Sequence, residues 1–178
     1  METINEFLFL QPITKADCGT LSSLMNIIYP PAYQHFWKDS GDWYVKSQYS
    51  KSNIEKELLE ENADYYFIVF KNEIIGNFRI LWNKNLTGLE NKKTLKLHRI
   101  YLHPKTHGAG IGKTVLYWLE KNAKEKGYEI IWLDVMDEQP QAFQFYKKLG
   151  YQHHSHQFLD FELLHEEVRK MNQVYKEL

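Results

Sequence analysis

The chain has 178 residues, a single cysteine and a formal net charge of −1. That length builds one domain with a sizeable core and is short for two. The balanced charge supplies no basic field for nucleic acid, and the lone Cys18 excludes an intramolecular disulfide and fits a reducing compartment.

The opening residues, METINEF, lack a basic n-region and a long apolar run, and no stretch reaches the length of a membrane span. The expectation is a soluble cytoplasmic protein, one domain over 1–178, with no membrane or nucleic-acid partner.

In chain order, Phe7–Gln11 is a short apolar strand that Pro12 ends. Thr14, with Asp17 three residues on, is a cap for a helix whose 3.6-residue stripe is Leu21, Leu24, Met25 and Ile28. Pro30–Pro31 is its expected stop. Residues 32–49 are dense in aromatics and read as a short helix and a loop over a pocket. Ser52, with Glu55, caps a helix to about Glu61. Asp64–Phe70 and Ile74–Trp82 are strands joined by a tight turn at Lys71–Glu73, and Gly76 marks a bulge or a close backbone approach. After a polar loop, strict alternation over Leu95–Leu102 puts Lys96, His98 and Ile100 on one face and Leu97, Arg99 and Tyr101 on the other. Gly110–Lys126 is the strongest helix, with Ile111, Val115, Leu119 and Ala123 in line and Gly127 after it. A buried strand over Glu129–Met136, a helix over Pro140–Leu149 and a strand over Tyr151–Phe158 follow. In the tail, Phe161–Met171 looks helical and Asn172–Lys176 could be a last strand.

The turn His107-Gly108-Ala109-Gly110-Ile111-Gly112 joins the strand over Leu95–Leu102 to the strongest helix. Glycines there let backbone amides close on an anion, and the helix N-terminus adds a favourable dipole. A P-loop would need glycine where His107 stands, despite Gly112-Lys113-Thr114 and a Walker-B-like run at Ile130–Asp134. A dinucleotide fingerprint would need G-x-G-x-x-G, whereas Gly108, Gly110 and Gly112 are spaced G-x-G-x-G.

The turn instead resembles the pyrophosphate loop of the GNAT N-acetyltransferases, Gln/Arg-x-x-Gly-x-Gly/Ala, with His107 in the first place. About thirty residues on, the stretch from Trp132 to Tyr151 is similar to the superfamily's second signature, a strand followed by N-x-x-A-x-x-F-Y-x-K-x-G-F. Ala142, Phe145, Tyr146, Lys148 and Gly150 match it; Gln139 replaces Asn and Tyr151 replaces Phe. Arg99-Ile100-Tyr101, the Trp-Leu-x-Val strand and the aromatic first third resemble the bacterial polyamine (spermidine) acetyltransferase branch. Members of that branch usually carry acidic residues where this chain has Lys96 and His98, and the acidic tail motif is missing after Phe158.

The resemblance implies an α/β (α+β) GNAT-like fold: a mixed, mostly antiparallel twisted sheet of six to seven strands flanked by four helices, with a splayed central strand pair. It implies acetyl-CoA as cosubstrate and a primary amine as acceptor, a small amine or polyamine, attacking directly in a ternary complex. Ile100, Tyr101 and Leu102 would meet the pantetheine arm. His107, Gly108, Ala109, Gly110, Ile111, Gly112 and Lys113 would hold the pyrophosphate, with Gln139 and Lys148 on the cofactor side. Tyr146 is the candidate acid toward the leaving thiolate. His98, whose imidazole titrates in the useful range, is the candidate base. Tyr29, Tyr33, Phe36, Trp37, Trp43 and Tyr44 are candidates for the acceptor pocket, with Asp39 and Asp42 to draw in a cation. The cluster His153, His154 and His156 lacks a second cysteine or a carboxylate at ligand spacing, so no metal is expected. A monomer or homodimer fits. Two other readings stand: a non-catalytic acyl-CoA-binding regulatory module, and a peptide or protein amine acetyltransferase.

Overall fold

Eight strands join edge to edge in one sheet, described over all 178 residues by a computed structural model. The elements are β1 (Glu2–Asn5), β2 (Leu8–Pro12), α1 (Cys18–Tyr33), α2 (Asp42–Gln48), α3 (Lys51–Glu57), β3 (Ala63–Phe70), β4 (Glu73–Leu81), β5 (Thr94–Leu102), α4 (Ile111–Glu125), β6 (Ile130–Met136), α5 (Pro140–Lys148), β7 (Gln152–Phe158) and β8 (Lys170–Glu177). The strand order is β1-β2-β3-β4-β5-β6-β8-β7. Every neighbouring pair is antiparallel except β5–β6.

Each face of the sheet carries its own core. Leu95, Leu97, Leu133 and Val135 pack under Val115, Leu116 and Leu119 of α4. On the other face Phe67 and Tyr65 pack with Leu21, Met25 and Ile28 of α1 and with Tyr49 and Ile54. No helix is long and apolar enough to cross a membrane.

The mixed, mostly antiparallel sheet and splayed central pair are as expected, with eight strands and five helices instead of six to seven and four. One added strand is β1, at the edge. The last strand that Asn172–Lys176 could form is β8, which slips between β6 and β7 with Asn172 and Val174 buried in alternation. Phe161–Met171 is not a helix. Leu164 and Val168 are buried four residues apart, which mimics a helical stripe, but the backbone bonds elsewhere. His165 N–H donates to Phe36 O, Lys38 N–H to Leu163 O and Leu159 N–H to Arg169 O.

Three local expectations also shift. α1 runs through Pro30 and Pro31 to Tyr33, because Tyr29 and Tyr33 stack at 4.8 Å within an aromatic cluster. That packing offsets the roughly 3 kcal/mol that proline costs inside a helix. α3 is capped by Ser50, whose hydroxyl accepts from Asn53 N–H, and not by Ser52. The β3–β4 turn holds Lys71 and Asn72 at φ 50° and 66°, a two-residue hairpin.

β5 does not keep strict alternation. Arg79 of β4 lies opposite Arg99 while Ile80 lies opposite Leu97, so His98 is an extra residue, a β-bulge. The bulge changes the phase of the strand. Leu97 and Ile100 both pack toward α4, while Lys96, Arg99 and Tyr101 look to the other side.

Gly76 marks both things its sequence suggests. β4 carries an extra residue beside it, and a Cβ built on Gly76 would fall far inside contact distance of the Tyr101 carbonyl oxygen. Gly76→Ala must push the end of β5 away. Thermal melting should report a loss of about 1–3 kcal/mol, in the range of other overpacked sites; an unchanged melting temperature would mean that β5 yields freely there.

Candidate active site

β5 and β6 pair in parallel only from Thr94/Ile130 to Leu97/Leu133. Beyond that point the strands part, and β5 keeps only β4 as neighbour. The wedge opens into a cavity of about 380 Å³ that reaches both faces of the sheet. One wall comes from β5 and β6, a second from α1 and α2, a third from α5 and the tail.

At the mouth of the wedge the glycine turn adopts the backbone its glycines permit. Gly108 and Gly110 sit at φ 80° and 75°, which L-residues rarely adopt. The amides of Gly108, Gly110, Ile111, Gly112 and Lys113 take no partner inside the protein. Five free N–H groups at a helix N-terminus form a ready anion site. His107 is exposed beside them, as is Lys113, whose ammonium lies 5.3 Å from the Tyr117 ring. This donor set fits a pyrophosphate.

Tyr146 projects from α5 into the cavity, and its hydroxyl bonds to no protein group. Burial raises its pKa, so it stays a protonated donor at neutral pH. Gln139, at the start of α5, donates from Nε2 to Ala32 O at 2.9 Å and ties α5 to the last turn of α1. Lys148 is exposed on the far side of that helix.

The aromatic segment forms the second wall. Tyr29 stacks between Tyr33 at 4.8 Å and Tyr44 at 4.6 Å, and Tyr101 meets Tyr29 and Tyr33 edge-on. Trp37 donates from Nε1 to Tyr29 Oη at 2.9 Å. Trp43 does not reach the cavity; it lies 40% exposed against Trp37 and Phe161. Asp39 is spent on capping α2, accepting from the N–H of Gly41 and of Trp43, and Asp42 pairs with Lys46.

His98, at the bulge, sits among groups that sequence reading did not connect. Its Nδ1 is 2.6 Å from Arg79 Nη1. A guanidinium can only donate, so Nδ1 accepts and the ring proton resides on Nε2. Arg79 also binds Glu60, and the buried Glu57 binds Arg99 at 2.6 Å and Arg79 at 3.8 Å. Lys96 pairs with Asp134 and lies 4.5 Å from the Trp132 ring. Asp134 also accepts from Gln173 at 3.2 Å. These partners come from four strands and a helix, so only strand order and the bulge bring them together.

His154 is 2.7 Å from the Thr87 carbonyl oxygen, and no three His, Cys, Asp or Glu side chains converge on a common point.

A splayed parallel pair beside a glycine-turn helix makes a wedge with an anion cradle next to it. The profile described as the Acetyltransferase (GNAT) family matches residues 23–151. The chain belongs to that family. It is 27% identical over 143 residues to an uncharacterized N-acetyltransferase of Methanocaldococcus jannaschii, covering 80% of this chain but only 60% of that protein. Among solved structures it is similar to RimL, a ribosomal L7/L12 α-N-protein acetyltransferase in complex with coenzyme A (TM-score 0.74, 17% identity, 99% and 97% of the two chains). It is also similar to a spermidine N-acetyltransferase SpeG of Vibrio cholerae (TM-score 0.67, 16% identity, 97% and 95%). At these identities the two structures establish the fold.

Burial and the guanidiniums of Arg99 and Arg79 lower the His98 pKa to about 2 in the folded protein, from an ordinary value of 6.5. Between those values the unfolded chain binds a proton that the folded protein does not, so stability falls as pH drops below 6.5. In urea unfolding, the protein should lose up to about 2 kcal/mol more than its His98→Gln variant between pH 7.5 and 5. Equal losses would show that His98 takes its proton in the folded state too.

Proposed function

We propose that the protein moves an acetyl group from acetyl-CoA to a primary amine, by direct attack with both substrates bound. The observation that carries this reading is a strand wedge with Tyr146 lining its cavity, followed at the end of β5 by a turn with five unpartnered amides. Acetyl-CoA would supply the thioester. The amides of Gly108 to Lys113 would hold its pyrophosphate, and the unpaired edge of β5 at Ile100 to Leu102 would take the pantetheine arm. Polarising the thioester oxygen from the same edge is an oxyanion-hole role.

As the amine nitrogen bonds to the carbonyl carbon, the carbon–sulfur bond breaks. Tyr146 then donates its proton to the departing sulfur and regains one from solvent; the proton lost by the amine leaves through water. Cys18 is buried at the start of α1 and does not line the cavity, in keeping with direct transfer and not a cysteine-bound acetyl group. A purely binding module would have no use for a buried, protonated tyrosine aimed into the wedge.

For the acceptor, the polyamine reading draws on the likeness to SpeG and on tyrosine faces that attract cations. A second reading, a peptide or protein amine, draws on the engagement of Asp39 and Asp42 in α2, which leaves neither carboxylate for a polycation.

Thiol release from acetyl-CoA across a panel of amines tests the reaction. Tyr146→Phe should lower kcat by about 10²- to 10⁴-fold, the usual worth of a general acid, and leave coenzyme A affinity unchanged. Undiminished turnover would remove Tyr146 from the acid role. Coenzyme A binding without release for any amine would favour the binding module.

A further inference from the structure

The geometry points to an acceptor whose reacting nitrogen is an α-amine beside a carbonyl group, as in an amino-acid amide or at a peptide N-terminus, with His98 as the group that reads the carbonyl. This rests on the acetyltransferase reading above.

The cavity wall holds one carboxylate, Asp134, and it is already occupied. It pairs with Lys96 and accepts from Gln173 at 3.2 Å. Glu57 and Glu60, behind the wall, are engaged by Arg99 and Arg79. His98 cannot serve as a base through Nδ1, which Arg79 fills, nor through Nε2, which bears the proton. The phenols of Tyr29, Tyr33, Tyr101 and Tyr146 are all pushed above their ordinary value by burial, so they too are donors. No side chain facing the cavity is free to take a proton from an ammonium.

An amine that enters this cavity must therefore reach it already neutral. A lysine-like amine titrates near 10.4 and an α-amine near 7.7–8.0, so at pH 7.4 the neutral fractions are about 0.1% and roughly a quarter. That difference favours the α-amine a few hundred-fold.

The polar wall points the same way. His98 offers one fixed N–H, because Arg79 sets its tautomer, and its Nε2 has no partner in the protein. Lys96, on the same side of β5, spends its charge on Asp134 and leaves the His98 N–H as the free donor. A carbonyl next to the reacting amine accepts from such a donor. A polyamine brings several cations and no acceptor, and would meet N–H groups with N–H groups. The Tyr29–Tyr33–Tyr44 stack gives the rest of the acceptor an apolar, aromatic surface.

The test is thiol release by the full chain at pH 7 with matched acceptors. Leucinamide and phenylalaninamide are set against isoamylamine and phenethylamine, the same bodies without the carbonyl. A β-fluorinated phenethylamine, acidified but lacking a carbonyl, separates amine acidity from carbonyl recognition. Dipeptide amides opening with Leu or Phe distinguish a chain terminus from a free amino-acid derivative, and spermidine completes the series. The amides or peptides should exceed the carbonyl-free amines by at least about thirty-fold in kcat/KM and exceed the fluorinated amine as well. His98→Phe should lower the ratio of amide to phenethylamine kcat/KM about ten-fold, and His98→Gln, which keeps an N–H donor, should restore that ratio.

Carbonyl-free amines or spermidine equal to the amides would overturn the inference and leave the acetyltransferase reading intact. An unchanged preference in folded His98→Phe would remove His98 as the reader. If that variant does not fold, the acceptor series on the unaltered protein still decides the substrate class. No release with any acceptor would sink both readings.

Discussion

The whole candidate site follows from a single parallel strand pair that comes apart. Parallel pairing holds β5 to β6 for four residues on each strand, Thr94–Leu97 and Ile130–Leu133, and then the two diverge. Each strand finds its other partner in an antiparallel neighbour, β4 on one side and β8 on the other, so the sheet stays intact around the opening. Twist accumulated across a wide sheet has to be released somewhere, and the weaker parallel contact is where release costs least. The gap exposes a backbone edge in the middle of a sheet, where it is protected from pairing with other chains yet open to a ligand.

The bulge at His98 turns that opening into a chemical site. By adding one residue to β5 just where the strands part, it brings His98 and Arg99 to the side already occupied by Lys96 and Tyr101. Two arginines then lie under the sheet, 2% and 6% exposed, which would be untenable without counter-charges. Glu57 and Glu60, from the end of α3 and the turn after it, supply them. A buried pair of this kind adds little net stability, since desolvation consumes most of the attraction. What it secures is geometry: Arg79 is held from one side by Glu60 and so presents a fixed donor to His98 on the other. The neutral imidazole is a product of the network around it.

Local structure carried by spacing was legible in the sequence. The glycine turn, its helix, the F-Y pair with Tyr146 and the close approach at Gly76 depend on residues near one another in the chain. What escaped depends on register. Strict alternation along β5 put Arg99 opposite His98, and one unpaired residue undid it. The buried spacing of Leu164 and Val168 looked helical because periodicity reports which side chains are inside, not where the backbone bonds go. Asp39 and Asp42 looked like cation attractors beside aromatic residues. Their nearness to α2, a short helix with an exposed start, gave both carboxylates local work. Sequence reading finds a carboxylate; only the fold tells whether it is already engaged.

That distinction governs how the site can handle protons. Catalysis at an amine needs the nitrogen lone pair free, and an enzyme can obtain it by supplying a base or by admitting amines that have already shed the proton. Supplying a base requires a carboxylate or imidazole with an open acceptor facing the cavity. Here the carboxylate at the wall is paired with Lys96 and the imidazole is fastened by Arg79. In the proposed reaction the donor at the other end would be Tyr146, a phenol that burial raises above its usual pKa and so keeps protonated at neutral pH. On the proposed reading, a site equipped to give protons and not to take them would place the burden of deprotonation on the acceptor and make the acidity of the acceptor amine part of its specificity.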